Sequence, residues 1–107
     1  MARQIVEITK EPEFFQLLKK KKKGTFSILY RSLWCSNCKK IMVKVDEWSK
    51  LDGDEIVYVV DSWNLPKSFA SFGITSAPSL VKINGGRIRV DVEYPKVWSY
   101  FNAPKKA

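Results

Sequence analysis

The chain has 107 residues, of which 45% are hydrophobic and 28% are charged, and it carries a formal net charge of +8 with no histidine. This length and composition predict one folded domain over residues 1–107, and they exclude an intrinsically disordered chain and a chain with two separate cores. No stretch approaches the roughly 18 apolar residues of a membrane span, and residues 1–15 lack the apolar region of a signal peptide. We therefore expect a cytoplasmic protein with no membrane association.

The first half of the chain predicts two strands and two helices in alternation. A short strand is indicated near Gln4–Ile8, and an amphipathic helix follows over EPEFFQLLKKKKK, with acidic residues and proline at its start and lysines at its end. TFSILYRSL is a β-rich apolar run that leads directly into the cysteines. From Ser36, apolar residues recur at spacings of three and four, which predicts a helix of about four turns that ends near Asp52–Gly53.

The second half predicts three more strands and two shorter helices. Glu55–Asp61 is a continuous apolar run, typical of a strand that is buried on both faces of a parallel sheet. LPKSFASFG indicates a short helix that stops at Gly73. SLVKINGGRIRVDVEY predicts two strands joined at Asn84–Gly86, where glycine or asparagine accepts a positive φ, and a last short helix is predicted after Pro95.

Much of the positive charge lies in Lys19–Lys23, directly before Gly24. A lysine-rich last turn followed by glycine is typical of a solvated helix C-terminus, and we favour that interpretation over a weak contact with phosphate or an acidic partner. Arginine and aromatic residues do not interleave with the run to make a base-stacking surface, so nucleic acid is not the expected partner. A second basic cluster lies in residues 103–107, which we expect to form a frayed tail.

The two cysteines, Cys35 and Cys38, fall at the predicted junction between the second strand and the second helix. The two residues between them let the helix begin while the side chains stay within disulfide reach, so a bond between them can open and close with little backbone movement. Cys35 is expected at the helix N-terminus, where unpaired N–H groups favour a thiolate, and we assign it as the attacking thiol. Cys38 lies one turn further on and is the expected buried, resolving thiol.

Two other interpretations of the cysteine pair compete with the redox interpretation. Two nearby cysteines in a helix can be small buried apolar residues with no chemical role. A structural zinc site usually takes four ligands, and a chain without histidine would need carboxylates or a second molecule to complete it. We rank both below the redox interpretation and expect no bound metal.

The order of elements, together with WCSNCK at Trp34–Lys39 and GITSAPSLVKINGG at Gly73–Gly86, resembles the thioredoxin family. The resemblance covers nearly the whole chain. It implies an α/β thioredoxin fold, in which a central mixed sheet of four to five strands is flanked by about four helices in a single domain. It also implies a thiol–disulfide oxidoreductase that reduces protein disulfides, with the Cys35–Cys38 disulfide in place of any separate cofactor.

By the same resemblance, several residues around the cysteines acquire expected roles. Pro78 should be cis and face the cysteine pair, with Ala77 offering backbone groups to a substrate chain. Trp34 should shield the site and shape its rim. Ser36 and Asn37 stand where the family usually has Gly-Pro, and the loss of proline frees an N–H that should stabilise the thiolate of Cys35 and make the couple less reducing.

The sequence also departs from the family pattern at three further positions. Leu29 stands where the family usually has a buried Asp, and Val57 stands where a Lys commonly pairs with that Asp. An apolar pair can replace a buried ion pair without loss of stability, but the proton of Cys38 must then pass to water or another group. Glu93 matches a family glycine near the site and is expected to narrow the substrate groove.

The resemblance implies partners as well: disulfide-containing substrate proteins, and an NADPH-dependent thioredoxin reductase as electron donor to a monomeric protein. A glutaredoxin-like function with glutathione as donor is the alternative, favoured by the short final helix and the basic charge and opposed by Trp34. A third hypothesis is a binding module with the thioredoxin fold, in which the dithiol is incidental.

Overall fold

A computed structural model of the protein describes residues 3–20, 24–32, 35–51, 53–61, 64–92 and 94–101. Trp34, Glu93 and residues 103–107, on which the sequence makes predictions, lie outside these ranges, as do the last three lysines of the Lys19–Lys23 run. The described residues form five strands and four helices, in the order β1 (Gln4–Glu7), α1 (Glu11–Lys20), β2 (Thr25–Arg31), α2 (Ser36–Ser49), β3 (Ile56–Asp61), α3 (Pro66–Ser71), β4 (Ser79–Asn84), β5 (Arg87–Asp91) and α4 (Tyr94–Phe101).

The strands form one mixed sheet in the order β1-β3-β2-β4-β5. β3 pairs in parallel with both β1 and β2, β4 runs antiparallel to β2, and β5 runs antiparallel to β4. The predicted fold class, a mixed sheet of four to five strands with about four helices, is confirmed. None of the described helices is long and apolar enough to cross a membrane.

Apolar side chains cover both faces of the sheet, because successive residues of a strand point to opposite sides. Ile28 and Tyr30 of β2 belong to a cluster that includes Phe14 of α1. Leu29 of the same strand belongs to a second cluster that includes residues of α2 and α4, with Ile41 among them. The continuous apolar runs of β2 and β3 therefore contribute side chains to both layers of the domain's core, one on each side of the sheet.

Two predicted boundaries are wrong, each for a local reason. α2 ends at Ser49 and not near Asp52–Gly53, because the Lys50 N–H bonds to the carbonyl oxygens of Glu47 and Trp48 and tightens the last turn. α4 begins at Tyr94, before Pro95, since proline in a first helical turn lacks only an N–H that would have no helical partner.

The hairpin between β4 and β5 is confirmed. Its two-residue turn, Gly85-Gly86, has φ values of 58° and 92°, a backbone region in which glycine carries little strain. Asn84 is the last residue of β4 and pairs with Arg87.

Candidate active site

Cys35 caps the N-terminus of α2. Its backbone is extended, with φ −98° and ψ 115°, and its carbonyl oxygen accepts the N–H of Lys39 at 3.3 Å, as a capping residue does. Its Sγ accepts the N–H of Cys38 at 3.1 Å. The sulfur thus takes the place that the side-chain oxygen of serine or aspartate has in a common N-cap.

Ser36 and Asn37 form the first turn of α2, with Ser36 exposed and Asn37 half-buried. The amide that bonds to the sulfur of Cys35 is the amide of Cys38, and not the amide that a proline at position 37 would remove. Any effect of the Ser36-Asn37 pair on the redox potential of the cysteines therefore has a cause other than this hydrogen bond.

The loop before β4 lies against the cysteine pair. The Sγ of Cys35 donates to the carbonyl oxygen of Ala77 at 3.5 Å, and the Ala77–Pro78 peptide bond is cis. Pro78 is buried and Ala77 is half-buried. The pairing of Tyr30 with Ser79 holds this loop beside the end of β2, so the sheet register brings the two sequence motifs together.

The two thiols occupy different environments. Cys35 is half-buried, whereas Cys38 is 3% exposed, and both are free. Burial, and after it the side-chain hydrogen bond with Cys35, raise the pKa of Cys38, which is about 12 when all influences are combined. The backbone of Ser32 and the positive charge of Arg31 act in the opposite direction. Cys38 is therefore a neutral thiol at physiological pH, as expected for the resolving cysteine.

Arg31 is a charged residue of the site that the sequence reasoning missed. It ends β2, and its Nη2 donates to Oε1 of Glu7, the last residue of β1, at 2.8 Å. β3 lies between these two strands, so the ion pair crosses over the end of the middle strand. The alternation of β2 places Arg31 on the same face as Leu29, which is the face covered by α2. The position of Arg31 on this face could have been predicted from that alternation.

Asp61 ends β3 beside Arg31 and is buried. Its Oδ1 accepts the backbone N–H of Asn64 at 2.8 Å and its Oδ2 accepts the side-chain amide of Asn64 at 3.0 Å. These bonds fix the start of the connection to α3. Asp61, Arg31 and Glu7 all lie at carboxyl ends of the parallel strands, the edge at which α/β proteins commonly build their sites.

Leu29 and Val57 are both fully buried on the face that α2 and α4 cover. The positions that usually hold an acid and a base in the family are thus both apolar and packed. Within the described ranges, no three His, Cys, Asp or Glu side chains form a group that could hold a metal ion.

Comparisons with known proteins agree with the fold. Residues 4–97 match the family model described as Thioredoxin. Among solved structures, the chain is similar to oxidized thioredoxin O2 of Arabidopsis thaliana, with 23% identity, a TM-score of 0.75, and coverage of 92% of this chain and 91% of that one. Thioredoxin of Schistosoma mansoni is similar at 22% identity and a TM-score of 0.74, with coverage of 92% and 94%.

A third similar chain comes from a structure of the thiol-resolving mechanism of yeast mitochondrial 1-Cys peroxiredoxin via glutathione and thioredoxin systems. It has 17% identity and a TM-score of 0.72, with coverage of 92% of this chain and 93% of that one. No curated protein sequence matches the chain significantly.

Proposed function

Since this chain belongs to the thioredoxin family, we propose that it reduces protein disulfides through Cys35 and Cys38. Family membership and the free cysteine pair support thiol–disulfide oxidoreductase chemistry in general. The observation that supports the specific roles of Cys35 and Cys38 in reducing protein disulfides is the difference between the environments of the two thiols. Cys35 is half-buried and its sulfur accepts an amide hydrogen bond, whereas Cys38 is buried and its pKa is raised to about 12.

Reduction proceeds in two exchanges. The thiolate of Cys35 attacks one sulfur of a substrate disulfide, so the substrate S–S bond breaks and a mixed disulfide forms, while the released substrate thiolate takes up a proton. Cys38 then loses its proton and attacks the Sγ of Cys35. This step breaks the mixed disulfide, releases the second substrate thiolate and leaves a Cys35–Cys38 disulfide, so two electrons have passed to the substrate.

Ala77 and Pro78 support the docking of an extended substrate chain. In the free protein the carbonyl oxygen of Ala77 accepts the S–H of Cys35 at 3.5 Å. Once Cys35 has lost its proton or joined a substrate sulfur, that carbonyl has no S–H to accept and is available to a substrate N–H. Trp34, by its place directly before Cys35, belongs to the same rim in this proposal.

For the return of electrons we propose an NADPH-dependent thioredoxin reductase, with glutathione as the alternative donor. The similar yeast chain comes from a system in which glutathione and thioredoxin both take part, which supports testing the two donors side by side. The Cys35–Cys38 disulfide is then the redox group of a monomeric, cytoplasmic protein whose substrates are disulfide-containing proteins.

Insulin reduction tests the proposal. The native protein with dithiothreitol should accelerate insulin precipitation, and Cys35→Ser should abolish the acceleration. Mixed with insulin after the dithiothreitol has been removed, reduced Cys38→Ser should accumulate a mixed disulfide that mass spectrometry detects as one added insulin chain. Recycling is measured with NADPH and thioredoxin reductase, and separately with glutathione and glutathione reductase. Insulin precipitation with the native protein no faster than with dithiothreitol alone would contradict the proposal and favour a binding module with an incidental dithiol.

A further inference from the structure

β5 is an edge of the sheet whose backbone is arranged to accept another strand. It stands last in the strand order and pairs with β4 on one side. Asn84 and Arg87 flank the two-residue turn, and such a pair exchanges both of its hydrogen bonds. Since the pattern alternates along an antiparallel ladder, Ile88 and Val90 direct their N–H and C=O groups away from β4, toward the side on which none of the described strands pairs with β5.

One side of this edge carries an apolar stripe. Ile88 is 56% exposed, Val90 is 39% exposed and Val92, just beyond the strand, is 50% exposed. Their spacing of two residues places the side chains of Ile88 and Val90 on the same face of the strand, and Val92 continues that spacing. Three adjacent aliphatic side chains in this position form a surface that an apolar partner can cover.

The other side of the same edge is basic. Arg87 and Arg89 alternate with the aliphatic residues, and Arg89 has 71% of its side chain exposed. Next to Arg89 lies an open cavity of about 390 Å³ that Lys82 and Lys96 also line, with the ring of Tyr100 among its walls.

Asp91 is the one carboxylate among the described residues that line this cavity. It is buried and lies 3.6 Å from both Nζ of Lys82 and Nε of Arg89. Lys82 and Arg89 thus share this one carboxylate, and Arg87 adds a further positive charge at the same edge, on a chain whose formal net charge is +8.

We propose that β5 binds an extended segment of a partner protein in which aliphatic residues alternate with Asp or Glu, added to the sheet as a sixth strand. The outward backbone groups of Ile88 and Val90 supply the hydrogen bonds. Because successive side chains of a strand point to opposite faces of the sheet, the aliphatic and acidic residues of the segment lie on different faces. Its aliphatic residues cover Ile88 and Val90, while its carboxylates face Arg87, Arg89 and the basic cavity.

A second copy of the chain is a poor occupant of this edge. Antiparallel pairing of two β5 strands would place Arg87 and Arg89 of the copies on the same face near one another, where like charges are destabilising. The surface contains neither cysteine, so binding at β5 does not depend on the disulfide chemistry. Asp91 pairs with Leu80, two residues beyond Pro78, so the bound segment runs toward the end of the sheet that carries the dithiol.

The test uses a fluorescein-labelled peptide of alternating Glu and Val, seven residues long, and fluorescence anisotropy on the reduced protein. Val90→Pro removes an outward N–H and leaves the ladder to β4 intact, so it should weaken binding about tenfold or more. Val90→Ala keeps the N–H and should weaken binding less. Arg89→Gln should weaken binding and reduce its salt dependence, and Val6→Ala, at an exposed valine of the opposite edge strand β1, should leave binding unchanged.

Amide shifts in an NMR titration of the native protein locate the peptide without any variant, so a Val90→Pro protein that fails to fold does not remove the test. We expect the largest shifts at Ile88 and Val90. Shifts confined to other elements, or equal affinity for a peptide with four Glu followed by three Val, would overturn the proposal. So would stronger binding of a single-stranded oligonucleotide that Val90→Pro leaves unaffected, or a dimer in sedimentation that Val90→Pro dissociates. Cys35→Ser should bind the peptide as the native protein does.

Discussion

The Sγ of Cys35 lies 3.5 Å from the carbonyl oxygen of Ala77, 42 residues further along the chain. One residue caps α2 and the other precedes β4, and the antiparallel pairing of β2 with β4 keeps these segments side by side. The register of the sheet therefore brings the dithiol and the proline loop together.

The two cysteines should differ strongly in reactivity. In Cys35→Ser, we expect Cys38 to react with iodoacetamide far more slowly at pH 8 than Cys35 does in Cys38→Ser, because Cys38 is buried and its raised pKa keeps it protonated. The substitution removes the contributions of Cys35 to that pKa, but the larger contribution of burial remains. Alkylation rates against pH, followed by mass spectrometry, check this. Equal rates for the two thiols near pH 8 would contradict the assignment.

Arg31 and Glu7 should act on Cys38 in opposite directions. The positive charge of Arg31 lowers the pKa of Cys38, so Arg31→Met in a Cys35→Ser background should slow its alkylation, and Arg31→Lys should restore most of the rate. Glu7→Gln should speed the reaction, since the carboxylate that offsets the charge of Arg31 at 2.8 Å is removed.

Other charged groups near the first turn of α2 are left unchanged in this comparison: Asp61 at the end of β3, and Lys39 and Lys40 on the helix itself. Arg3→Met is the matched control, since Arg3 forms a similar ion pair with Glu55 at 2.9 Å. The effects of Arg31→Met and Glu7→Gln on the alkylation rate of Cys38 should both shrink at high salt. A change of the same sign from Arg31→Met and Glu7→Gln would show that packing, and not charge, is responsible.

Leu29→Asp should destabilise the fold. Leu29 is fully buried among the apolar side chains that α2 and α4 cover, so a carboxylate there is charged, unpaired and desolvated. We expect the free energy of unfolding at pH 7 to fall by more than the roughly 2–5 kcal/mol typical of Leu→Ala, and urea denaturation of Leu29→Ala supplies that reference. Burial raises the pKa of the new carboxyl in the folded state, so the extra loss should diminish as pH falls and the group becomes neutral.

Val57→Lys should recover part of the loss from Leu29→Asp. Val57 lies on the same face of the neighbouring strand, two residues from Val59, the register partner of Leu29. A double-mutant cycle measures the interaction between the new charges. Strictly additive destabilisation by the two substitutions would show that these positions cannot hold an ion pair in this chain.

The redox couple should be more oxidising than that of a typical thioredoxin. We expect a potential between about −270 mV, near thioredoxin, and about −200 mV, at the glutaredoxin limit, because Ser36-Asn37 replaces Gly-Pro. Equilibration with glutathione buffers measures it. Ser36→Gly with Asn37→Pro should lower the potential. Since the amide bonded to Cys35 belongs to Cys38 and survives this change, a shift would indicate that backbone stiffness in the first turn contributes.

Stability should decline at alkaline pH. The hydroxyl of Tyr30 is buried and donates to the carbonyl oxygen of Ser68 at 3.2 Å, and burial raises the pKa of Tyr30 well above its ordinary value, as it does for Tyr100 and Cys38. These groups stay neutral in the folded protein while the unfolded chain ionises near pH 9–10, so their contribution is intact below that range and is lost above it.

Tyr30→Phe separates this effect from other causes. It should lower stability at pH 7 by about 1 kcal/mol through the lost hydrogen bond, and it should make the alkaline decline shallower than in the native protein. Chemical denaturation at several pH values between 7 and 11 checks both parts. An unchanged alkaline slope in Tyr30→Phe would remove Tyr30 from the explanation.

The sequence by itself determined the features that depend on neighbours within about four residues. The order of strands and helices, the glycine turn between β4 and β5, and the place of Cys35 at the start of α2 all follow from periodicity, capping and backbone conformation. Helix ends were less predictable. The final turn of α2 closes with backbone hydrogen bonds to Glu47 and Trp48, and no residue type at these positions predicts them.

Only the tertiary structure decided which distant groups meet. The pair of Arg31 with Glu7 exists because the sheet order places β1 and β2 on either side of β3. The approach of Ala77 to Cys35 is predicted by the family resemblance and by no local pattern, and its physical cause is that β4 joins β2 in one register. Which edge of β5 stays open has the same origin. Strand order and register are set by burial of both sheet faces at once, and that is a property of all the strands together that no local stretch of residues contains.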